Sequence, residues 1–358
     1  MKNVFDIPPD LHGRREHDPF LVAVTRFFTG IERVRSLRRA RVTRAPRPLS
    51  RELILLVREV TQEAEDVVSI RLATWNNAPL PAWQPGCHLD LRLPSGRRRQ
   101  YSLCGDPADR TSYRIAVRRL PGGEGGSLEV HETLTEGRVV RVQGPRNAFP
   151  FLPNERYLFL AGGIGITPIL PMVKAAQRVG ADWRLIYTGR DLASLPFLNE
   201  LEGLPEGRVT VRTDDEHGVP DCADLLAGTP GDAAIYCCGP APMIDGVRAA
   251  FRAGERASGT LHFERFAPAP VVGGQPFEVE LARSGKTITV PADRSALEAI
   301  KAELPDVAYS CQQGFCGTCR VGVLSGDVDR RASSDRAGED SMLICVSRAS
   351  GGRIGLDL

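Results

Sequence analysis

The sequence predicts a multidomain chain: a small antiparallel β-barrel, a doubly wound α/β domain and a C-terminal β-grasp domain, behind a basic N-terminal extension. Three observations carry this reading. Between residues 51 and 152, short β-type runs are punctuated by Pro-Gly, Ser-Gly and Gly-Gly. From Arg156 onward, apolar strands alternate with glycine turns and helical stretches. Near the C-terminus, Cys311, Cys316 and Cys319 are spaced C-x4-C-x2-C, with Cys345 downstream. The expected boundaries are 1–50, 51–152, 153–268 and 269–358. A chain of 358 residues, 42% hydrophobic and 25% charged, is long and apolar enough for separate cores.

The extension holds the basic charge. Residues 1–51 contain 12 Lys+Arg against 5 Asp+Glu, a net +7, whereas the whole chain carries +2. Asp18-Pro19 opens a helical pattern in which Phe20, Val24, Phe27, Phe28, Ile31, Val34 and Leu37 form one stripe among arginines. Such a helix over residues 19–41 admits contact with an anionic membrane or a partner. Packing on the chain's own domains or across a dimer is the favoured reading, because apolar helix faces are most often buried that way. Nucleic-acid binding is not expected, since the arginines lack interleaved stacking aromatics. Ala45-Pro46-Arg47-Pro48 reads as a linker.

In the barrel, the expected strands are Leu53–Val60, Val67–Ala73, His88–Leu93, Tyr113–Arg118 and Arg138–Val142. Three pieces stand out: Arg99-Gln100-Tyr101-Ser102-Leu103, Ile115-Ala116-Val117-Arg118 and Gly125-Gly126-Ser127. Each alone has a plain reading as a solvated arginine, a core tyrosine or a loop. Together they supply an arginine and glycine amides for a phosphate, an aromatic for a ring system, and a hydroxyl and strand backbone for its polar edge.

The α/β domain opens with the apolar strand Tyr157–Ala161, then Gly162-Gly163-Ile164-Gly165-Ile166-Thr167-Pro168 and a helix over Ile169–Val179. Strand, glycine turn and helix start are the parts of a pyrophosphate site, although the strict G-x-G-x-x-G spacing is absent. Further strands are expected at Trp183–Tyr187, Arg208–Arg212 and Ala233–Cys237, with helices near Phe197–Leu201 and over Ala241–Ala253. Cys238-Gly239-Pro240 again sets a strand end against a helix start. Cys238 reads equally well as a small buried hydrophobe.

After a second linker at Ala267–Gly274, a hairpin around Ser284-Gly285, a helix over Leu297–Glu303 and the strands Val321–Leu324 and Met342–Val346 complete a β-grasp pattern. The cysteine spacing is that of a plant-type 2Fe-2S ligand set, in which Cys311, Cys316, Cys319 and Cys345 are the metal ligands. A structural zinc site would instead show two short Cys-x-x-Cys knuckles. Nine cysteines without a signal peptide point to a reducing, cytoplasmic location, and no apolar run approaches the ~20 residues of a membrane span.

The runs RQYSLCGDP, YRIAVRR, GGSLEVHE and PRNAFPF, followed by the cysteine loop, resemble the phthalate dioxygenase reductase and vanillate O-demethylase reductase family over residues 53–358. The resemblance implies a ferredoxin-reductase-like barrel holding FMN, an NADH domain and a ferredoxin domain. By position, Arg99 and Ser127 would bind the FMN phosphate with Gly125 and Gly126. Tyr101 would pack along the flavin, Ser102 would reach N5, Gln100 and Leu103 would flank it, and Val117 and Arg118 would meet the pyrimidine end. Gly163, Gly165, Thr167 and Pro168 would contact the nicotinamide side, with Cys238, Gly239 and Pro240 bordering it. Glu264 and Phe266, in LHFERF, would sit beside the hydride-transfer site. Gln100 and Glu124 depart from residues common in the family, and a carboxylate at Glu124 cannot help hold a phosphate. Arg190-Asp191 is a mixed signal, an arginine suited to a 2′-phosphate beside an acid that repels one; NADH is the expectation.

The resemblance implies a reductase passing electrons from NADH through FMN and the cluster to an oxygenase. A Rieske non-haem iron oxygenase acting on an aromatic acid is expected, with a cytochrome P450 as the alternative acceptor and a redox-sensing interaction protein as a distant third reading. Gln312, Gln313, Phe315 and Arg320 are candidates for the surface that docks the oxygenase.

Overall fold

The computed structural model describes residues 52–122, 125–254, 259–266, 271–305, 307–309, 312, 314, 317–331 and 340–358. The helix expected over residues 19–41 lies outside them, as do Glu124, Cys311 and Cys316. Strands β1 (Glu52–Ala64), β2 (Val67–Ala73), β3 (Cys87–Arg92), β4 (Arg98–Ser102), β5 (Ser112–Arg118) and β6 (Val139–Asn147) form an antiparallel sheet in the order β4-β3-β6-β1-β2-β5. Its two edges meet where Leu103 bridges Ile115, and this contact closes the barrel and removes the exposed edges. Period-two patterning sends Leu55, Val57, Ile70, Leu72, Leu89, Leu91, Val140 and Val142 into one core. A helix not foreseen in the pattern, α1 (Gly126–Thr133), starts at the Gly-Gly-Ser stretch.

The second sheet is wholly parallel: β7 (Arg156–Gly162), β8 (Asp182–Gly189), β9 (Val209–Thr213), β10 (Ala234–Cys238) and β11 (Thr260–Glu264), ordered β11-β10-β7-β8-β9. Helix α2 (Ile166–Arg178) covers one face, with Ile169, Met172 and Val173 against Phe159 and Leu185. Helix α3 (Ala241–Ala253) covers the other, with Ile244 and Val247 against Leu158, Leu160 and Ile235. Burial on both faces is why β7 reads as a continuous apolar run. Helix α2 begins at Ile166, earlier than the Ile169 expected from sequence. Pro168 falls in its first turn, where a missing N–H leaves no bond unmade.

The third sheet joins β12 (Phe277–Leu281), β13 (Lys286–Val290), β14 (Arg320–Ser325), β16 (Ser341–Leu343) and β18 (Arg353–Leu356) in the order β13-β12-β18-β14-β16. The pair β12–β18 is parallel and its neighbours are antiparallel, the mixed pattern of a β-grasp. The short strands β15 (Val328–Asp329) and β17 (Arg348–Ala349) pair beside it. Helix α4 (Ala296–Glu303) is started by a capping box in which the Ser295 and Glu298 side chains bond each other's backbone N–H. Strand β16 ends at Leu343, so Cys345 sits in the turn that follows and not on the strand where it was expected. Among the described residues, no helix is long and apolar enough to cross a membrane.

Candidate functional site

A cleft of about 410 Å³ is lined by residues from all three domains. Strand β4 supplies Arg98, Arg99, Gln100, Tyr101 and Ser102, and the end of β5 supplies Ala116, Val117 and Arg118. Gly126 and Ser127 open α1, Ile164 and Thr167 come from the turn after β7, and Phe266 follows β11. Because β4 ends the strand order next to the closing bridge, its side chains meet the cleft one after another.

At one end the arrangement suits a phosphate. A Cβ on Gly126 would lie 2.3 Å from Arg99 Nε, so only glycine lets the guanidinium lie over the start of α1. The cap residue Gly125 has φ 82 and no side chain to satisfy the first N–H groups of the helix. Those donors and Arg99 converge as an anion site does. Ser127 Oγ accepts from Leu120 N at 3.0 Å, which fixes its direction. Two donor atoms of residues lining the cleft, Gln100 Nε2 and Arg118 Nε, are buried without a hydrogen-bond partner. Buried orphan donors are rare unless a ligand completes them, and a flavin edge offers the acceptors they lack. FMN therefore fits these residues. Arg118 also donates to the Ser194 carbonyl at 2.5 Å, so it ties the cleft to the α/β domain.

At the other end three predicted residues meet. Ser102 Oγ donates to Glu264 Oε2 at 3.3 Å, and Cys238 is in register beside Glu264 at the ends of β10 and β11. Burial pushes the Glu264 carboxyl up to about 8, so it holds its proton at neutral pH. Cys238 is fully buried, and that burial, with Glu264 and Cys237 nearby, pushes its thiol well above the ordinary value. Thr167 Oγ1 donates to the Ile164 carbonyl at 3.0 Å. Phe266 remains 49% exposed at the cleft mouth.

The residues expected from the sequence to meet a nucleotide lie at the crevice where strand order reverses between β7 and β10. A Cβ on Gly165 would stand 2.2 Å from the Cys238 carbonyl oxygen, and one on Gly162 would meet Pro240 Cδ at 2.7 Å. The two glycine turns therefore interlock through backbone. Gly163, at φ 52, faces the Arg118 guanidinium. Pro168 is buried in α2, and Gly239 with Pro240 leads into α3. Arg190 is exposed outside the cleft, while the Asp191 side chain is engaged in accepting from Ser194 N at 2.8 Å. Leu103 is wholly buried in the barrel wall.

Cys319 and Cys345 are buried in one core, and Ile344 N donates to the Cys319 carbonyl at 3.3 Å, so two of the four expected thiolates are brought together. The left-handed Gly314 and Gly317, at φ 81 and 75, turn the chain just ahead of Cys319. The donor set suits a 2Fe-2S cluster. Sequence reasoning missed the residues that this domain lends to the flavin cleft: Glu298, Lys301, Tyr309 and Gln312. Gln312 thus faces the cleft, not only an outward docking surface.

Comparison with known proteins agrees with this geometry. The family described as the 2Fe-2S iron-sulfur cluster binding domain matches residues 279–350. A toluene-4-sulfonate monooxygenase system reductase subunit from Comamonas testosteroni is 38% identical over 320 residues, 87% of this chain and 100% of that protein. Phthalate dioxygenase reductase from Burkholderia cepacia is 37% identical, covering 82% and 94%. A solved phthalate dioxygenase reductase, described as a modular structure for electron transfer from pyridine nucleotides to 2Fe-2S, superposes with a TM-score of 0.66 over 86% of this chain and 98% of its own. An intact type IV self-sufficient cytochrome P450 monooxygenase superposes at 0.70 with 36% identity; the chain spans 41% of that longer protein. With that identity over nearly the full length of these relatives, a barrel and nucleotide domain of matching architecture, and the cluster domain at its C-terminal end, the chain belongs to the phthalate dioxygenase reductase family of oxygenase reductase components.

Proposed function

We propose that this chain carries electrons from NADH, through FMN in the cleft, to a 2Fe-2S cluster on Cys311, Cys316, Cys319 and Cys345, and delivers them to a Rieske non-haem iron oxygenase acting on an aromatic substrate. In this reading residues 51–152 are the flavin module, 153–268 the NADH module and 269–358 the cluster module. The observation that carries it is the single cleft to which all three modules give side chains. Kinship with reductase subunits of oxygenase systems for phthalate and toluene-4-sulfonate supports the acceptor class.

Bound FMN supplies the exchange between two-electron hydride chemistry and one-electron transfer. The protein positions and shields. Arg99, Gly125, Gly126 and Ser127 would hold the phosphate, Tyr101 would pack along the ring, and Ser102, whose hydroxyl donates to Glu264, would stand at the ring edge. Glu264 keeps a proton on its carboxyl, which spares the crevice a buried negative charge beside Cys238. Thr167, with the interlocked glycine turns, would form the floor for the nicotinamide, and Phe266 stands at the mouth. The side chains meet the requirement that reacting groups be held close in a dry site.

The test is NADH-driven reduction of two acceptors by the holoprotein. Ferricyanide and cytochrome c should both be reduced. Cys311→Ser should leave ferricyanide reduction within about twofold while abolishing transfer to the oxygenase, since only the exit is removed. Loss of both activities in a folded variant would overturn the serial order. A second reading, a cytochrome P450 acceptor, is favoured by the match to the self-sufficient monooxygenase; supplying each type of purified oxygenase separates the two.

A further inference from the structure

The residues between the nucleotide module and the cluster module read from the sequence as a linker, Ala267–Gly274. In the structure the end of this linker is fastened. Arg331 donates through Nη1 to the Val272 carbonyl at 2.8 Å and through Nη2 to the Gly273 carbonyl at 3.4 Å, while its Nε bonds Asp329 Oδ2 at 2.7 Å. A Cβ on Gly274 would stand 2.0 Å from the Ala292 carbonyl oxygen, so here the chain lies directly on the segment that follows β13. One residue further, Arg348 donates through Nη2 to the Gln275 carbonyl at 2.8 Å. Two guanidinium groups thus hold the carbonyls of Val272, Gly273 and Gln275.

Both arginines belong to the ribbon that carries a cluster ligand. Strands β15 and β17 pair with Asp329 opposite Arg348, and Arg348 follows the turn of Cys345, in which Val346 N and Ser347 N both donate to the Leu343 carbonyl. Arg348 is 1% exposed. It also donates to the Pro291 carbonyl at 2.9 Å and to the Arg294 carbonyl, with its guanidinium 4.8 Å from the centre of the Phe277 ring. Leaving those Nη donors without acceptors at that depth would be costly, so Arg348 keeps the carbonyls in place. Arg294 immediately precedes the capping box at Ser295, and Leu297 N donates to the Ile344 carbonyl at 2.8 Å, which ties the head of α4 to the same turn. From α4 onward this module reaches the flavin cleft, where Glu298, Lys301 and Tyr309 form part of the wall. The linker, the turn of Cys345 and the cleft wall are therefore joined through backbone carbonyls. The planar fork of arginine suits this task, because it spans neighbouring acceptors at a fixed angle.

We propose that Arg331 and Arg348 are positioning residues for electron transfer from flavin to cluster: they fasten the linker to the cluster module and so hold the cluster at a fixed place beside the flavin cleft. This rests on the reading that the cleft holds FMN and passes its electrons to the cluster. In that step one electron leaves the flavin reduced by NADH, and one ferric ion of the cluster becomes ferrous. A slack linker would let the module drift from the cleft, and transfer would slow with neither redox group altered.

The test uses the full chain with FMN and cluster bound. The bound flavin is photoreduced by a laser flash with a sacrificial donor, and bleaching of the cluster band then follows the electron without the NADH step. Arg331 is the residue to change, because its side chain is 26% exposed, whereas loss of the buried Arg348 endangers the fold. Arg331→Met should slow transfer on the order of tenfold, the scale of a small misplacement of reacting groups. Flavin reduction by NADH and the reduction potential of the cluster should be those of wild type. Arg331→Lys keeps the charge without the fork and should remain slow. Wild-type speed in Arg331→Met overturns the proposal. So does a slowing that Arg331→Lys fully repairs, or one accompanied by a shifted cluster potential, since either would make Arg331 an electrostatic residue. Absence of flash-induced cluster reduction in wild type overturns the underlying relay instead.

Discussion

Among the residues of the site, Glu264 is the one whose protonation bears most directly on turnover. Its carboxyl is 8% exposed, and burial raises it to about 8 from an ordinary 4.5, with only the Ser102 hydroxyl working against the shift. The folded chain therefore holds a proton that the unfolded chain releases, and stability falls as pH rises from about 4.5 through about 8. Activity should fall in the same upper range, as a charge appears beside Cys238 in the nicotinamide crevice. NADH-to-ferricyanide turnover measured from about pH 6 to about pH 9 should show a descending limb near pH 8, and Glu264→Gln, which keeps shape and hydrogen bonding without the charge, should flatten it. A limb that persists unchanged in Glu264→Gln would mean another group titrates there.

At the scale of elements, the turn after β7 and the end of β10 work as one unit, because Gly165 packs against the Cys238 carbonyl at a distance no Cβ tolerates. Gly165→Ala must push two backbones apart and should cost about 1–3 kcal/mol of stability together with a raised KM for NADH. Gly203→Ala, at a helix end where the nearest atom is 3.7 Å away, is the control and should change neither. Thermal melts and steady-state kinetics on the pair check both statements. Elements of this kind were legible where patterning was strong: the apolar run of β7 and the alternation in β2 and β5 announce themselves. Strand β4 did not read as a strand, since Arg98, Arg99 and Gln100 have no apolar alternation, although its residues were singled out for their chemistry. Helix α1 was read as a loop because two glycines open it; at a helix cap glycine is tolerated, and the apolar residues follow only afterwards. Lys301 and Tyr309 left no signal at all, because their part in the cleft arises from module packing and not from local spacing.

For the whole molecule, what matters is how the barrel and the α/β domain are held at a fixed separation. Their seam is polar and specific. Arg114 of β5 donates to Glu200 Oε1 at 2.5 Å and to the Cys104 carbonyl at 2.7 Å, and its guanidinium lies 4.8 Å over the Phe197 ring. Lys174 of α2 bonds the other oxygen of Glu200, and Arg178 pairs with Asp106 at 3.0 Å. Burial would raise the Glu200 carboxyl, but the hydrogen bonds from Arg114 and Lys174 outweigh it and hold it below the ordinary range. The stability from this group is thus present above about pH 4.5 and is lost as pH falls below it. Glu200→Ala leaves Arg114, with its side chain 14% exposed, facing Lys174 with no anion between them. It should cost about 1–3 kcal/mol and loosen the seam on which hydride transfer depends. Among the described residues, no hydrogen bond or ion pair joins the cluster module to Arg114, Lys174 or Glu200, so the two halves of the electron path should respond differently. In stopped-flow experiments on Glu200→Ala, flavin reduction by NADH should slow several-fold while reoxidation through the cluster by cytochrome c keeps its wild-type rate. Equal slowing of both steps would show that the seam transmits to the cluster, and no slowing of either would show that the barrel and the nucleotide domain are held together by other contacts.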